Sequence, residues 1–430
     1  SADVDVREDI TIREAEGFNK RPEWCIFPAL SYRRHGELEV KQNELARAFD
    51  TMPFNRIERG GASRKGVAVS GVSYLYAKEV IGELGLDVVL YKVGTPYPLP
   101  EKTTRDFLNE VDSVLVIEEL DPVVEEQLLI AAAGKRPILG KRSGHMPWNG
   151  EYSFELIKKA LLSYLGIEAK DTEAETLPPL PVRPPVLCAG CPHRASFYAV
   201  KRAMRGRKAV FCGDIGCYTL GNAAPLDMVD TCLCMGAGIN IAQGVTHVEP
   251  DTAAFAFVGD STFFASGITG VVNAFYNQAN MTLVVLDNST TAMTGHQPHP
   301  GTGRTMMGQV VERVSIERVL RAIGLTVVET VDPLDHEAAV ETVRRVADEP
   351  GVKAIIFRSP CVVLARPKAR STVDAEKCVG CQRCVRELGC PALVPDAATG
   401  KVAIDAAQCT GCTLCEQLCP THAISGGERL

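Results

Sequence analysis

The sequence predicts an α/β protein built on parallel sheets, followed by a small α+β module rich in cysteine. Three observations carry this. Short, largely apolar runs at 66–72 (GVAVSGV), 113–118 (SVLVIE), 253–259 (AAFAFVG) and 282–287 (TLVVLD) have the length and hydrophobicity of strands buried on both faces. Helical patterns lie between such runs, as at 73–84 and 263–277, and this alternation is what a parallel sheet requires. Eight of the sixteen cysteines then fall in the last fifty-three residues, as two runs of four.

Taken in order, residues 1–60 offer no clear periodic element and read as an N-terminal linker segment. A first parallel-sheet unit is expected over 61–176, closed by an amphipathic helix at 152–166 with Phe154, Ile157, Leu161 and Tyr164 on one face. The stretch 177–185 (LPPLPVRPP) can neither continue a helix nor pair as a central strand, so it reads as a stiff spacer. A second α/β unit is expected over 186–368. Basic and polar residues at 366–373 lead into the cysteine-rich module at 369–430.

With 430 residues, 46% hydrophobic and 23% charged, the chain can bury several cores. A net charge of −7 with no long basic run leaves no footprint for nucleic acid or an anionic membrane. The first residues are acidic and no apolar run reaches the length of a membrane span, so a cytoplasmic location is expected. In a reducing compartment, closely spaced cysteines point to metal or redox chemistry rather than to disulfides.

The two cysteine runs are Cys378, Cys381, Cys384, Cys390 with Pro391, and Cys409, Cys412, Cys415, Cys419 with Pro420. A C-x2-C-x2-C loop lets three thiolates reach three irons of one cubane, while the fourth cysteine, just before proline, ligates the other cluster of a two-cluster ferredoxin fold. This groups Cys378, Cys381, Cys384 with Cys419, and Cys409, Cys412, Cys415 with Cys390, as two [4Fe-4S] clusters. Zinc sites and disulfides are the alternative readings of such pairs. Five residues rather than the usual three separate Cys384 from Cys390, which loosens the expected geometry at Cys390.

After the run 253–259 comes Gly259-Asp260-Ser261, and twenty-eight positions beyond Asp260 the next strand ends in Asp287-Asn288-Ser289-Thr290. Both segments should emerge at the carboxyl edge of one sheet, where open parallel sheets bind ligands and helix amino termini favour phosphate. Asp260, the Asn288 side chain and the Thr290 carbonyl are oxygen donors suited to Mg2+ shared with a diphosphate. The bland alternative is two unrelated turns. A dinucleotide reading of Gly236-Ala237-Gly238 lacks the third glycine, since Ile241 stands there.

The pairing of GDS with a downstream asparagine is similar to the thiamine diphosphate motif. Together with LCAGCPHR (187–194), GDIGCYTLG (213–221), GDSTFFASGI (259–268), LDNSTTAMTGHQPHPGTG (286–303) and both cysteine runs, it resembles large subunits of indolepyruvate:ferredoxin oxidoreductases, within the 2-oxoacid:ferredoxin oxidoreductase family. YKVGTPYPLP (91–100) and VLVIEEL (114–120) look like that family's transketolase C-terminal-like domain. The resemblance implies a thiamine-diphosphate-binding domain, a two-cluster ferredoxin domain, and oxidative decarboxylation of an arylpyruvate with coenzyme A. Electrons would pass through iron–sulfur clusters to ferredoxin. An electron-transfer subunit of another 2-oxoacid oxidoreductase, without turnover of its own, is the competing reading.

The same resemblance places Gly216, Gly236, Gly259 and Ser261 around the cofactor. It also suggests a possible third [4Fe-4S] cluster on Cys188, Cys191, Cys217 and Cys361; Ala189 stands where the family usually has proline. Cys25, Cys212, Cys232 and Cys234 are expected to be buried thiols. His193, His296 and His299 are acid–base or substrate-contacting candidates, with His296 the first choice. No glutamate for activating the cofactor's pyrimidine is found. A partner chain or missing domain carrying it, the family's small subunit, and hence a hetero-oligomer are expected.

Overall fold

The computed structural model describes residues 9, 14, 17–168, 180, 182–365 and 368–429; part of the expected spacer at 177–185 and of the boundary at 366–373 lies outside them. The chain forms two compact units, Ser1–Pro179 and Leu180–Leu430.

In the first unit α1 (Pro28–Ala48) precedes β1 (Arg56–Arg59), β2 (Lys65–Ser70), α2 (Ser73–Leu84), β3 (Val89–Val93), α3 (Glu101–Glu110), β4 (Ser113–Ile117), α4 (Val123–Ala132), β5 (Ile138–Leu139) and α5 (Phe154–Leu165). The sheet order is β1-β3-β2-β4-β5. Four strands are parallel, and β1 joins β3 antiparallel, with Arg56 opposite Lys92. The expected linker at 1–60 therefore contains a helix and an edge strand. Both escaped sequence reading for a physical reason: β1 (RIER) is polar, as edge strands are, and α1 buries no residue. Val67 and Val69 of β2 pack with Ile157 and Leu161 of α5, whereas Ala68 faces Phe107 and Val124 of α3 and α4. Period-two alternation thus feeds two cores, one on each face of the sheet.

The second unit continues with α6 (Pro192–Ala203), β6 (Ala209–Cys212), α7 (Ala237–Val248), β7 (Ala253–Gly259), α8 (Asp260–Thr262), a π-helical turn at Phe263–Gly267, α9 (Ile268–Tyr276), β8 (Met281–Asp287), α10 (Ile316–Ile323), β9 (Val328–Val331), α11 (His336–Ala347) and β10 (Lys353–Arg358). Its sheet, β6-β7-β8-β10-β9, is wholly parallel. Phe255, Phe257, Val284 and Leu286 face one core and Ala254, Ala256, Val258 and Leu283 the other, which is why these strands read as unbroken apolar runs. Parallel pairing with matched registers brings the carboxyl ends of β6, β7 and β8 to one edge.

The cysteine-rich module consists of β11 (Thr372–Val373), α12 (Arg383–Leu388), β12 (Leu393–Pro395), β13 (Val402–Ile404), α13 (Leu414–Leu418) and β14 (Ile424–Ser425), with two ribbons pairing β11 to β14 and β12 to β13. Leu388, Leu414 and Leu418 share a core with Leu187, Tyr198 and Leu334. Gln417 bridges the Leu334 carbonyl and the His336 amide at 2.8 and 2.9 Å. The module and the parallel sheet thus fold as one unit.

Candidate functional site

The carboxyl edge of the second sheet carries a cavity of about 100 Å³, lined among others by His193, Gly216, Cys217, Asp260, Asn288 and Thr290. Asp260 opens α8 and is 3% exposed. Its Oδ1 accepts the Ser261 amide at 2.8 Å and its Oδ2 accepts the Ser289 amide, also at 2.8 Å. The GDS and DNST turns are therefore joined directly. Burial pushes the Asp260 carboxyl up, opposed by the nearby His299. Ser289 sits at φ 63, a costly conformation for a residue with a side chain, held here by that amide contact.

Asn288 is buried; its Oδ1 accepts the Thr290 amide at 3.3 Å and its Nδ2 lies 3.2 Å from His193 Nε2. Burial lowers His193 to about 4, so the imidazole is neutral. Because the asparagine amide nitrogen only donates, Nε2 is the acceptor and the proton sits on Nδ1. His193 also packs edge-on against Tyr218, with ring centroids 5.6 Å apart.

The structure buries His299 and leaves His296, the first choice from sequence, exposed. His299 is buried, with Nε2 3.1 Å from Asp260 Oδ2. That nitrogen finds no well-directed hydrogen bond, so the contact is electrostatic rather than aligned. Nδ1 accepts the Gly301 amide at 3.2 Å, which leaves the proton on Nε2, facing the carboxylate, and Phe264 stacks on the ring. His296 is instead exposed at φ 62 in the turn closed by the Thr291–Gln297 bridge, and the structure does not bring it among the buried polar groups.

Sequence reasoning missed two residues. Asp214, fully buried after β6, accepts the Gly236 amide at 2.8 Å and the Tyr218 hydroxyl at 2.9 Å. The Tyr218 ring covers Gly216 and Gly259 so closely that a Cβ at either would come within 2.5 or 2.6 Å of Cε1. Glycine is needed there for room rather than for φ. The motif GDIGCY contained both residues, but a carboxylate and an aromatic beside glycines also read as an ordinary turn.

All sixteen cysteines are free. Cys378, Cys381, Cys384 and Cys419 line one small cavity, and the Ala423 amide donates to Cys419 Sγ at 3.2 Å. Cys412 and Cys415 are both pushed up by burial and then by the neighbouring thiols of Cys390 and Cys409. The structure thus brings together the two crosswise sets. Four converging thiolates in each set are the donors that an iron–sulfur cubane takes.

Cys188, Cys191, Cys217 and Cys361 also converge, from three distant points of the sequence. Burial raises Cys217 and Cys361, and Cys188 adds to both, as Cys361 does to Cys217. The Cys361 amide donates to the Asn288 carbonyl at 3.0 Å, so this set adjoins the Asp260 cavity. Of the remaining thiols, Cys212 is buried as expected, but Cys25, Cys232 and Cys234 are exposed.

Residues 214–357 match the thiamine pyrophosphate enzyme C-terminal TPP binding domain family, and residues 370–420 the 4Fe-4S dicluster domain family. The chain is 40% identical to an indolepyruvate oxidoreductase subunit IorA of Methanothermobacter thermautotrophicus, over 95% of this chain and 68% of that one. It is 39% identical to the IorA subunit of Archaeoglobus fulgidus, over 93% of this chain and 65% of the relative. A 2-oxoglutarate synthase subunit KorB of the same organism is 34% identical over 28% of this chain and 46% of its own. The chain spans about two thirds of the length of the IorA relatives.

Proposed function

This chain belongs to the family of indolepyruvate oxidoreductase IorA subunits, and from that membership we propose that it serves a thiamine-diphosphate-dependent 2-oxoacid:ferredoxin oxidoreductase acting on indolepyruvate or another arylpyruvate. The reaction converts the oxoacid and coenzyme A to an acyl-coenzyme A and carbon dioxide, releasing one proton and two electrons, which leave one at a time for ferredoxin. The observation that carries the reading is the Asp260–Ser289 contact, which unites the two halves of a diphosphate and metal site inside the matched domain.

The residues present fit thiamine diphosphate and Mg2+. Asp260, the Asn288 amide oxygen and the Thr290 carbonyl offer hard oxygen donors at one sheet edge. The glycines at 216, 236 and 259 would line the diphosphate, with the Tyr218 ring and Ser266 packed against the positions their missing Cβ atoms leave. When bound, the cofactor supplies the electron sink that decarboxylation needs. Tyr218 and Asp214 stiffen the floor of the cavity. Neutral His193 orients the Asn288 amide and can accept or pass a proton beside it. His299 holds the Asp260 carboxylate in place. The cysteine set beside Asn288 and the two crosswise sets would hold the iron–sulfur clusters, and such clusters would supply one-electron transfer.

The test is coenzyme A-dependent reduction of ferredoxin, or of a low-potential dye, by the complex assembled with its partner subunits, across a panel of 2-oxoacids. Preference for arylpyruvates supports the reading; turnover of pyruvate alone would replace the substrate class. Calorimetry showing no Mg2+-dependent thiamine diphosphate binding would overturn the site itself.

A further inference from the structure

Arg194 is a buried cation whose hydrogen bonds all end on main-chain carbonyls. It is 4% exposed. Nη1 donates to the carbonyls of Leu388 and Gly389 at 2.6 and 2.9 Å, and Nη2 to that of Leu187 at 2.5 Å. Nε is buried without a partner. Glu387, the residue before the first of these carbonyls on the module side, is committed to Arg383 at 2.9 Å and Arg202 at 3.6 Å. An enclosed guanidinium is unfavourable unless something negative lies close. Carbonyl dipoles soften that cost without cancelling it.

The surroundings of Arg194 name the missing anion. It follows Cys191 by three residues, and the carbonyls it binds end immediately before Cys390. The Arg194 amide donates to the Cys191 carbonyl at 3.1 Å, and Cys191 shares with Leu388 a core against which Cys390 and Cys412 also pack. The loops themselves interlock. Gly190, between Cys188 and Cys191, lies at φ 71, and a Cβ there would overlap Oγ1 of Thr410, between Cys409 and Cys412. Thr410 Oγ1 is itself buried without a partner.

We propose that Arg194 is the shared counter-ion of two iron–sulfur clusters, one on Cys188, Cys191, Cys217 and Cys361 and one on Cys390, Cys409, Cys412 and Cys415, and that it raises the reduction potential of both. The inference rests on the cluster reading given above. A cubane with four thiolates carries two negative charges when oxidised and three when reduced, so a fixed cation in a poorly screened interior favours the reduced form. When an electron passes between these clusters, one is oxidised and the other reduced with no proton moved. The guanidinium then keeps a compensating charge on both sides of the step. As a positioning residue, Arg194 also ties the module to α6.

The experiment is an electron paramagnetic resonance redox titration of the anaerobic holo-complex carrying wild type, Arg194→Lys, Arg194→Gln or Arg194→Met, with iron counted in each. The cluster on Cys378, Cys381, Cys384 and Cys419 serves as internal reference. The neutral variants should shift the two clusters to more negative potential by about a tenfold change in their oxidised-to-reduced ratio, about 59 mV for one electron. Arg194→Lys should stay near wild type and the reference should not move. Iron loss from these two sets in the neutral variants, with Arg194→Lys retaining it, equally supports a requirement for charge. Unmoved potentials in all variants, or equal iron loss in all three, overturn the proposal. Wild type lacking iron on either set would instead refute the cluster reading beneath it.

Discussion

The Asp260 carboxylate accepts the Ser289 amide at 2.8 Å, so the loop after β7 holds the loop after β8 in place before any ligand arrives. Oδ2 also faces His299 Nε2, whereas Oδ1 accepts only the Ser261 amide and keeps a lone pair for a cation. A metal site made this way is partly preorganised, because the backbone amides fix the direction of the donor.

Asp260→Asn should therefore harm both affinity and stability. The amide cannot accept from both backbone N–H groups, and a buried donor left unsatisfied costs about 1–3 kcal/mol. Loss of the charge should weaken Mg2+-dependent thiamine diphosphate binding by roughly 100-fold or more. Calorimetric titration checks the first effect and urea unfolding the second. An unchanged dissociation constant would remove Asp260 from the metal site.

His299 acts on the same carboxylate from behind. With Nδ1 accepting from Gly301 and Phe264 stacked on its ring, its proton on Nε2 is held toward Asp260 Oδ2. His299→Gln, which can place a donor in the same region, should retain most Mg2+ affinity. His299→Leu should lose about 10–100-fold, the usual cost of removing a partner behind a ligand. Equal affinity in the two variants would deny His299 that role.

Acid should destabilise the second unit through two buried imidazoles. His193 and His336 are both lowered to about 4 by burial, with the charge of Arg202 adding to the effect at His336. Their folded values lie below the ordinary 6.5, so the unfolded chain binds these protons more readily. The penalty is absent well above pH 6.5, grows as pH falls from 6.5 toward 4, and levels off below. Each group contributes a slope of up to about 1.4 kcal/mol per pH unit. His336 stacks on Tyr198 with its Nδ1 unpartnered, so His336→Phe should keep the packing and flatten part of the slope. Urea midpoints at pH 7, 6 and 5 measure this; parallel curves for wild type and variant would contradict it.

The central strands were legible because burial on both faces leaves a continuous apolar run, as in 253–259 and 282–287. The GDS turn and its asparagine were legible because they follow two adjacent parallel strands, which brings both turns to one sheet edge, as the proposed metal–diphosphate chemistry needs. The crosswise cysteine sets followed from spacing, and the structure brings the same residues together. Other features were not readable from local pattern. Nothing in TGHQPHPG tells which histidine turns inward, since a left-handed residue at His296 swings that side chain to solvent and buries His299 three positions later. The burial of Arg194 was equally hidden, because two of its three carbonyl partners lie nearly two hundred residues away.

The third cysteine set predicts an iron count. With four irons per cubane, anaerobically prepared protein should hold about twelve irons rather than about eight. Cys217→Ser should lose about four while leaving the signals of the other two sets in place, because Cys217 lies in the wall of the Asp260 cavity rather than in the module. Iron unchanged in this variant would exclude Cys217 as a ligand.

The interlocked loops give the last prediction. Gly190 holds a left-handed φ of 71, and an added Cβ would overlap Thr410 Oγ1 and come within 3.0 Å of the Thr410 Cβ. Gly190→Ala thus carries two costs, about 1 kcal/mol for the backbone conformation and a steric term that only movement of the 409–412 loop can relieve. That loop holds Cys409 and Cys412, so relief should appear as iron loss or altered paramagnetic resonance from the Cys390, Cys409, Cys412, Cys415 set. Thr410→Ala removes the overlapping hydroxyl and is itself cheap, because the hydroxyl is buried without a partner. The double variant should then recover most of the steric term and keep only the backbone cost. In a thermal-unfolding cycle the two substitutions should couple by about 1–2 kcal/mol in the rescuing direction, as residues in direct contact do. Additive effects would mean that the loops do not touch in solution, and that the two cysteine sets are held apart rather than locked together.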